Sequence, residues 1–129
     1  MSARMECDAC ADMAACEVEL KSNGVQTQAL PLRNGVMFVY TADTPAHVRA
    51  VQEVLARHAA KFNAMPAAGD RVKLCPECKA FRGAIASGKL TRETVNIEGG
   101  CLTLMTSSDL SLVAKLRAMA NAQNGNRKS

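Results

Sequence analysis

Residues 7–21 contain neither Gly nor Pro and are rich in Ala, Glu and Met, a composition that predicts a helix. Ser22-Asn23-Gly24 supplies its end, with Asn or Gly available for a left-handed cap. The pattern then changes period. Residues 25–32 and 36–41 read as two strands, with Met37 and Val39 on one face and Val36, Phe38 and Tyr40 on the other. Between them, Asn34-Gly35 predicts a hairpin through a type I′ turn, which needs positive φ at both positions. Pro31 lacks a ladder donor, so the first strand is expected at an edge or at a bulge. Thr41-Ala42-Asp43-Thr44-Pro45 is a helix entry, with a side-chain oxygen for the cap and Pro at the first helical position. Val48, Val51, Leu55, His58 and Phe62 follow at spacings of three and four and form a core-facing stripe. Met65-Pro66-Ala67-Ala68-Gly69-Asp70 reads as a linker.

The second half repeats this order. Cys75-Pro76-Glu77-Cys78 opens a helix that Ser87-Gly88 closes. Strands near 91–97 and 101–106 are joined by Gly99-Gly100, and Ser107-Ser108-Asp109 caps a last helix with Val113, Leu116 and Met119 or Ala120 turned inward. Residues 121–129 are polar and expected to fray. Sliding the sequence along itself by about half its length sets Asn34-Gly35 on Gly99-Gly100, and Val36 to Thr41 on Cys101 to Thr106. It also sets Leu20 and Ser22 on Ile85 and Ser87, and Cys10 on Cys75. The expected fold is α+β, a tandem α-β-β-α repeat forming one pseudo-twofold domain with antiparallel β-hairpins packed on helices. The single domain spans 1–129, in repeats of about 1–64 and 66–129 with the linker near 65–70.

Composition narrows the class. In a chain of 129 residues, 48% hydrophobic residues with mixed charge describe a globular domain, and three Phe, one Tyr and no Trp leave Ala, Val, Leu and Met to fill its interior. No apolar run is long enough for a membrane span, and Met1 to Glu6 lacks the apolar segment of a signal peptide. The expected location is the cytoplasm, where six cysteines stay reduced and point to metal or redox chemistry before a disulfide framework. Net charge is +4 but uneven. Glu6, Asp8, Asp12, Glu17 and Glu19 make the first segment acidic, whereas Arg71, Lys73, Lys79, Arg82, Lys89 and Arg92 surround the second cysteine pair. Opposite charge would favour pairing the two segments with each other.

The cysteine pairs carry the chemistry. A Cys-x-x-Cys turn presents two sulfurs to one side of a metal, and two such turns complete a tetrahedral site. Cys7, Cys10, Cys75 and Cys78 are the expected ligands. The gap between the pairs far exceeds that of a compact zinc ribbon, so proximity must come from the repeat. Zinc leads by its preference for tetrahedral sulfur, ahead of an iron–sulfur cluster or Cu(I) on the same ligands. Such a module works by interaction or regulation and not by turnover, with a protein partner compatible and no membrane.

Two other readings compete. Arg71 to Leu74, then Cys75-Pro76-Glu77-Cys78, then a helix locally resembles a glutaredoxin or thioredoxin active site, which implies a dithiol oxidoreductase. The resemblance covers about a dozen residues, and the later proline loop that faces the thiols in those folds is missing. The third reading is anion or nucleic-acid binding through the basic segment 71–92, which lacks aromatic platforms and any recognition motif. Cys16 and Cys101 are expected as small buried hydrophobes, His58 as a hydrogen-bonded boundary residue, and His47 as exposed.

Overall fold

The structure, a computed structural model, describes residues 7–68 and 71–128, and the side chains within them except at 66, 68 and 123–128. Met1 to Glu6, where no signal segment is expected, lie outside the described residues, as do Gly69 and Asp70 of the expected linker. The element order is α1 (Asp8–Ser22), β1 (Gln26–Leu32), β2 (Gly35–Thr41), α2 (Pro45–Ala68), α3 (Pro76–Ala86), β3 (Leu90–Ile97), β4 (Gly100–Ser107) and α4 (Leu110–Lys128). This is an α+β fold in which α-β-β-α occurs twice.

The two hairpins join edge to edge into one antiparallel sheet of order β1-β2-β4-β3. Pro31 does lie on an edge strand, where its missing N–H costs no interior ladder bond. At the join, Phe38 pairs with Thr103, Val36 with Met105 and Tyr40 with Cys101. Phe38 is therefore opposite its own counterpart in the second hairpin, as an approximate twofold axis through that pair requires.

The hairpin turns differ from their expected form. Leu32 pairs with Gly35 and Ile97 with Gly100, so the two-residue loops are Arg33-Asn34 and Glu98-Gly99. Neither contains a positive φ; among the described residues only Gly24 (φ 67°) and Gly88 (φ 78°) have one. The type I′ expectation is thus corrected, and Gly35 and Gly100 have a steric reason instead. A Cβ on Gly35 would lie 1.9 Å from the Met105 carbonyl oxygen, and one on Gly100 would lie 1.8 Å from that of Tyr40. The two central strands approach each other too closely for any other residue, at twin positions.

Helix ends follow the chain's local chemistry. Val25 N–H donates to Leu20 O and Lys89 N–H to Ala84 O, each across a left-handed glycine, which closes α1 and α3 with the same motif. Thr44 Oγ1 accepts the His47 N–H at 3.2 Å at the start of α2. Asp109 Oδ1 accepts the Ser111 N–H at 2.9 Å at the start of α4. Two boundaries shift. The expected linker is helical to Ala68, and Met65 in its last turns is buried in the core. The α4 helix runs to Lys128, past the point where fraying was expected.

All four helices serve one face of the sheet. Ala29, Val36, Leu90 and Met105 pack against Phe81 and Ala84 of α3 and Leu112, Leu116 and Ala120 of α4. Leu20 of α1 and Val51, Val54 and Leu55 of α2 meet Cys101. Val36 and Cys101, twins under the repeat, are both fully buried.

Candidate metal centre

The four expected ligands converge. Cys7 is the N-cap of α1 and Cys75 the N-cap of α3, so Cys10 and Cys78 each stand in the first turn of the same helix as their partner. The motifs correspond cap to cap, Cys7 with Cys75. The even shift that set Cys10 on Cys75 is corrected, because α1 has 15 residues and α3 has 11, a difference of one helical turn. That extra turn lets α1 reach the start of α3.

All four Sγ atoms lie within 4.8 Å of one another, and Cys10 Sγ is 4.0 Å from Cys75 Sγ and 3.9 Å from Cys78 Sγ. A tetrahedron with metal–sulfur bonds of about 2.3 Å has edges of about 3.8 Å. The donor set fits such an ion in both type and spacing. None of the six cysteines is in a disulfide.

A backbone clasp holds the turns together. Asp8 N–H donates to Lys73 O at 2.6 Å, and Lys73 N–H donates to Asp8 Oδ2 at 2.8 Å. Around it, Cys7, Met65 and Leu74 are buried, with Phe62 and Val72 packed alongside. Cys10 N–H also points at Cys7 Sγ, 3.4 Å away.

The site's electrostatics resist four bare thiolates. Burial pushes the Cys7 thiol up, but the N–H groups of Cys75 and Cys10, with the thiols of those residues, outweigh it and bring Cys7 down to about 6. Cys10 is pushed up to about 11, first by burial and then by its hydrogen bond to Cys7. Cys78 is driven far above the usual thiol range by burial and then by its three sulfur neighbours. A thiolate forms readily at Cys7, and ionising Cys10 or Cys78 then meets negative charge already in place. A cation at the centre removes that opposition.

Other candidates fall outside this centre. Cys16 and Cys101 pack with Leu20 and Val51 in a cluster separate from the one around the four sulfurs, and burial raises both thiols. His58 Nδ1 is 2.6 Å from Asp12 Oδ2, whose other oxygen accepts from Lys61 Nζ at 2.9 Å. His47 is half-buried, not exposed as expected, and its N–H serves the α2 cap.

The acidic first segment finds its basic partners on α2. Glu19 pairs with Arg57 and Asp12 with Lys61, while Asp8 accepts the Lys73 N–H in the segment around Cys75. The reason is geometric: α1 lies along α2 and meets α3 only at the cysteine end. Within the basic segment, Lys73, Lys79 and Lys89 are exposed, whereas Arg92 turns to the helix-covered face and sits 4.8 Å from the centre of the Phe62 ring. The sequence signal for this was available in the alternation of β3, which puts Arg92 on the same face as Leu90.

The thioredoxin-like likeness stays local. The sheet is antiparallel throughout, and Cys75 and Cys78 face two further thiols. The chain matches no known protein family, no curated protein and no solved structure. Among the described residues, no helix is long and apolar enough to cross a membrane.

Proposed function

We propose that this chain is a small cytoplasmic zinc-binding module in which Cys7, Cys10, Cys75 and Cys78 hold one metal ion that fastens α1 to α3. The observation that carries this reading is the meeting of four sulfurs, from two helix starts, at tetrahedral spacing. Four thiolates and no open position describe a structural site, so the ion stabilises a surface for interaction or regulation and does not activate water. Zinc is preferred because an all-sulfur tetrahedral set suits it and because no redox partner is required. The backbone clasp between Asp8 and Lys73 keeps the two turns near one another, which lowers the ordering cost of loading.

X-ray absorption on protein purified without chelator tests this directly. The expected result is about one zinc per chain with a shell of about four sulfurs at about 2.3 Å. Iron or copper in that shell would change the ion and keep the site. A protein with no metal–sulfur shell and four freely titrating thiols sinks the proposal. So does alkylation of Cys75 alone in metal-replete protein, which is the signature of a dithiol oxidoreductase.

A further inference from the structure

Both faces of the sheet carry apolar residues. The face under the helices contains Arg92, and it also contains Thr103, whose Oγ1 is buried without a hydrogen-bond partner. The helix-free face is also apolar along its middle, with Gln26, Gln28, Thr41, Thr91 and Thr106 around it. The register places Leu30, Met37, Val39, Val95, Leu102 and Leu104 on it, none of which enters a core cluster. Glu93 is the one ionisable residue among its paired strand positions, in a chain of which 22% is charged. A solvated face of an antiparallel sheet is normally polar, and strands apolar on both sides belong to sheets covered on both sides. Depletion of charge at the centre of a patch is also the compositional mark of an interface.

We propose that a second copy of this chain docks on the helix-free face, making a sheet-on-sheet dimer. This does not depend on what the four sulfurs hold.

Three observations select a second copy as the occupant. An isologous contact requires one patch to complement itself. Here Met37, Val39, Leu102 and Leu104 on the central strands, with Leu30 and Val95 beside them, form an uncharged apolar stripe that can meet the same stripe on a second copy. Area is the second. For strands of seven and eight residues, a spacing of about 4.8 Å and a rise of about 3.4 Å give a flat footprint of about 450 Å² a copy. Side-chain relief adds to this and brings the pair to roughly the 1,000 Å² that a specific contact needs. Third, edge-to-edge self-association is blunted on the β1 side, where Pro31 interrupts the donors, which leaves only the β3 edge to compete.

The test is sedimentation equilibrium on the full, metal-loaded chain, from low to several hundred micromolar. The expected mass is twice the 13.7 kDa of one chain. Met37→Glu should yield monomer. Val95 is already 40% exposed, so Val95→Lys leaves the isolated chain intact and should weaken the dimer by about tenfold or more. Leu110 is 84% exposed but lies at the start of α4, so Leu110→Lys should leave the dimer unchanged. Metal content and thiol protection should be the same in every variant, which separates failure here from failure of the zinc reading. Wild-type protein that stays monomeric throughout overturns the proposal and assigns the face to another protein or to residues outside the described ones. A dimer that Val95→Lys leaves intact, or that Leu110→Lys disrupts equally, overturns it too.

Discussion

The helices α1 and α3 open on the same Cys-x-x-Cys motif and close on the same left-handed glycine, yet they are held in place differently. Helix α3 buries Phe81 and Ala84 against the sheet. Helix α1, a turn longer, has Leu20 as its one buried residue and carries Met13 and Val18 exposed. Its remaining anchors are the Glu19–Arg57 pair, the Asp12 contacts to His58 and Lys61, and the cysteine end. The exposed Glu19–Arg57 and Lys61–Asp12 pairs contribute little, whereas the Asp12–His58 contact is largely buried. The comparison teaches that one copy of a repeated helix can rest on apolar packing while the other, under the proposed metal reading, rests on an ion shared between the two copies.

Removing that ion should break the comparison most visibly. A structural zinc contributes on the order of 10 kcal/mol, as much as the whole stability of a domain this size. Chelation is expected to lower the melting temperature sharply, and hydrogen exchange should show α1 losing protection before α3. Cys10→Ser and Cys78→Ser should each do nearly the same damage, because three sulfurs and a hydroxyl hold zinc poorly. Cys101→Val, at a position whose twin is already Val36, should cost less than about 1.5 kcal/mol. Equal damage from all three substitutions would reduce the cysteines to core residues.

The central strands provide the opposite case, where the two copies should behave alike. Gly35→Ala and Gly100→Ala each drive a methyl group into a facing carbonyl, and each should cost about 3 kcal/mol as the β2–β4 join spreads. Denaturant midpoints differing widely between the two variants would break the twofold equivalence of the strands.

A smaller effect sharpens the account of α1. Burial pushes the Asp12 carboxyl up, but hydrogen bonds from Lys61 and His58, with their charges, outweigh it and hold Asp12 below the usual carboxylate value. A depressed folded value means that this contribution is fully present above the unfolded pKa of about 4 and is lost as pH falls through the folded one. Asp12→Asn should therefore cost on the order of 1 kcal/mol at neutral pH and flatten the acid limb of the stability curve. Its loss should show in α1 exchange and leave α3 unchanged. An acid limb identical to wild type would remove Asp12 from the anchoring of α1.

Much of this was written locally. Helix caps at Gly24, Gly88, Thr44 and Asp109, the edge position of Pro31 and the facing of Val36, Phe38 and Tyr40 all follow from neighbours in the chain, because φ preferences, missing donors and side-chain alternation act over a few residues. The four cysteines were legible for a different reason: two identical motifs at two equivalent helix starts have a reason to meet. What the chain did not show locally depended on distance in space. The glycines of the hairpins look like turn residues, and only the packing of β2 on β4 shows that they are spacers.

The sequence by itself therefore determined the elements, their doubled order and which four cysteines had a reason to meet. The tertiary structure decided the register that pairs Phe38 with Thr103, the extra turn that aligns Cys7 with Cys75, and the pairing of α1 with α2. It also decided that the two hairpins merge into one sheet whose helices all lie on one face. Those outcomes rest on how closely separate segments can approach and on which surfaces remain once they have, and neither quantity resides in any one stretch of chain.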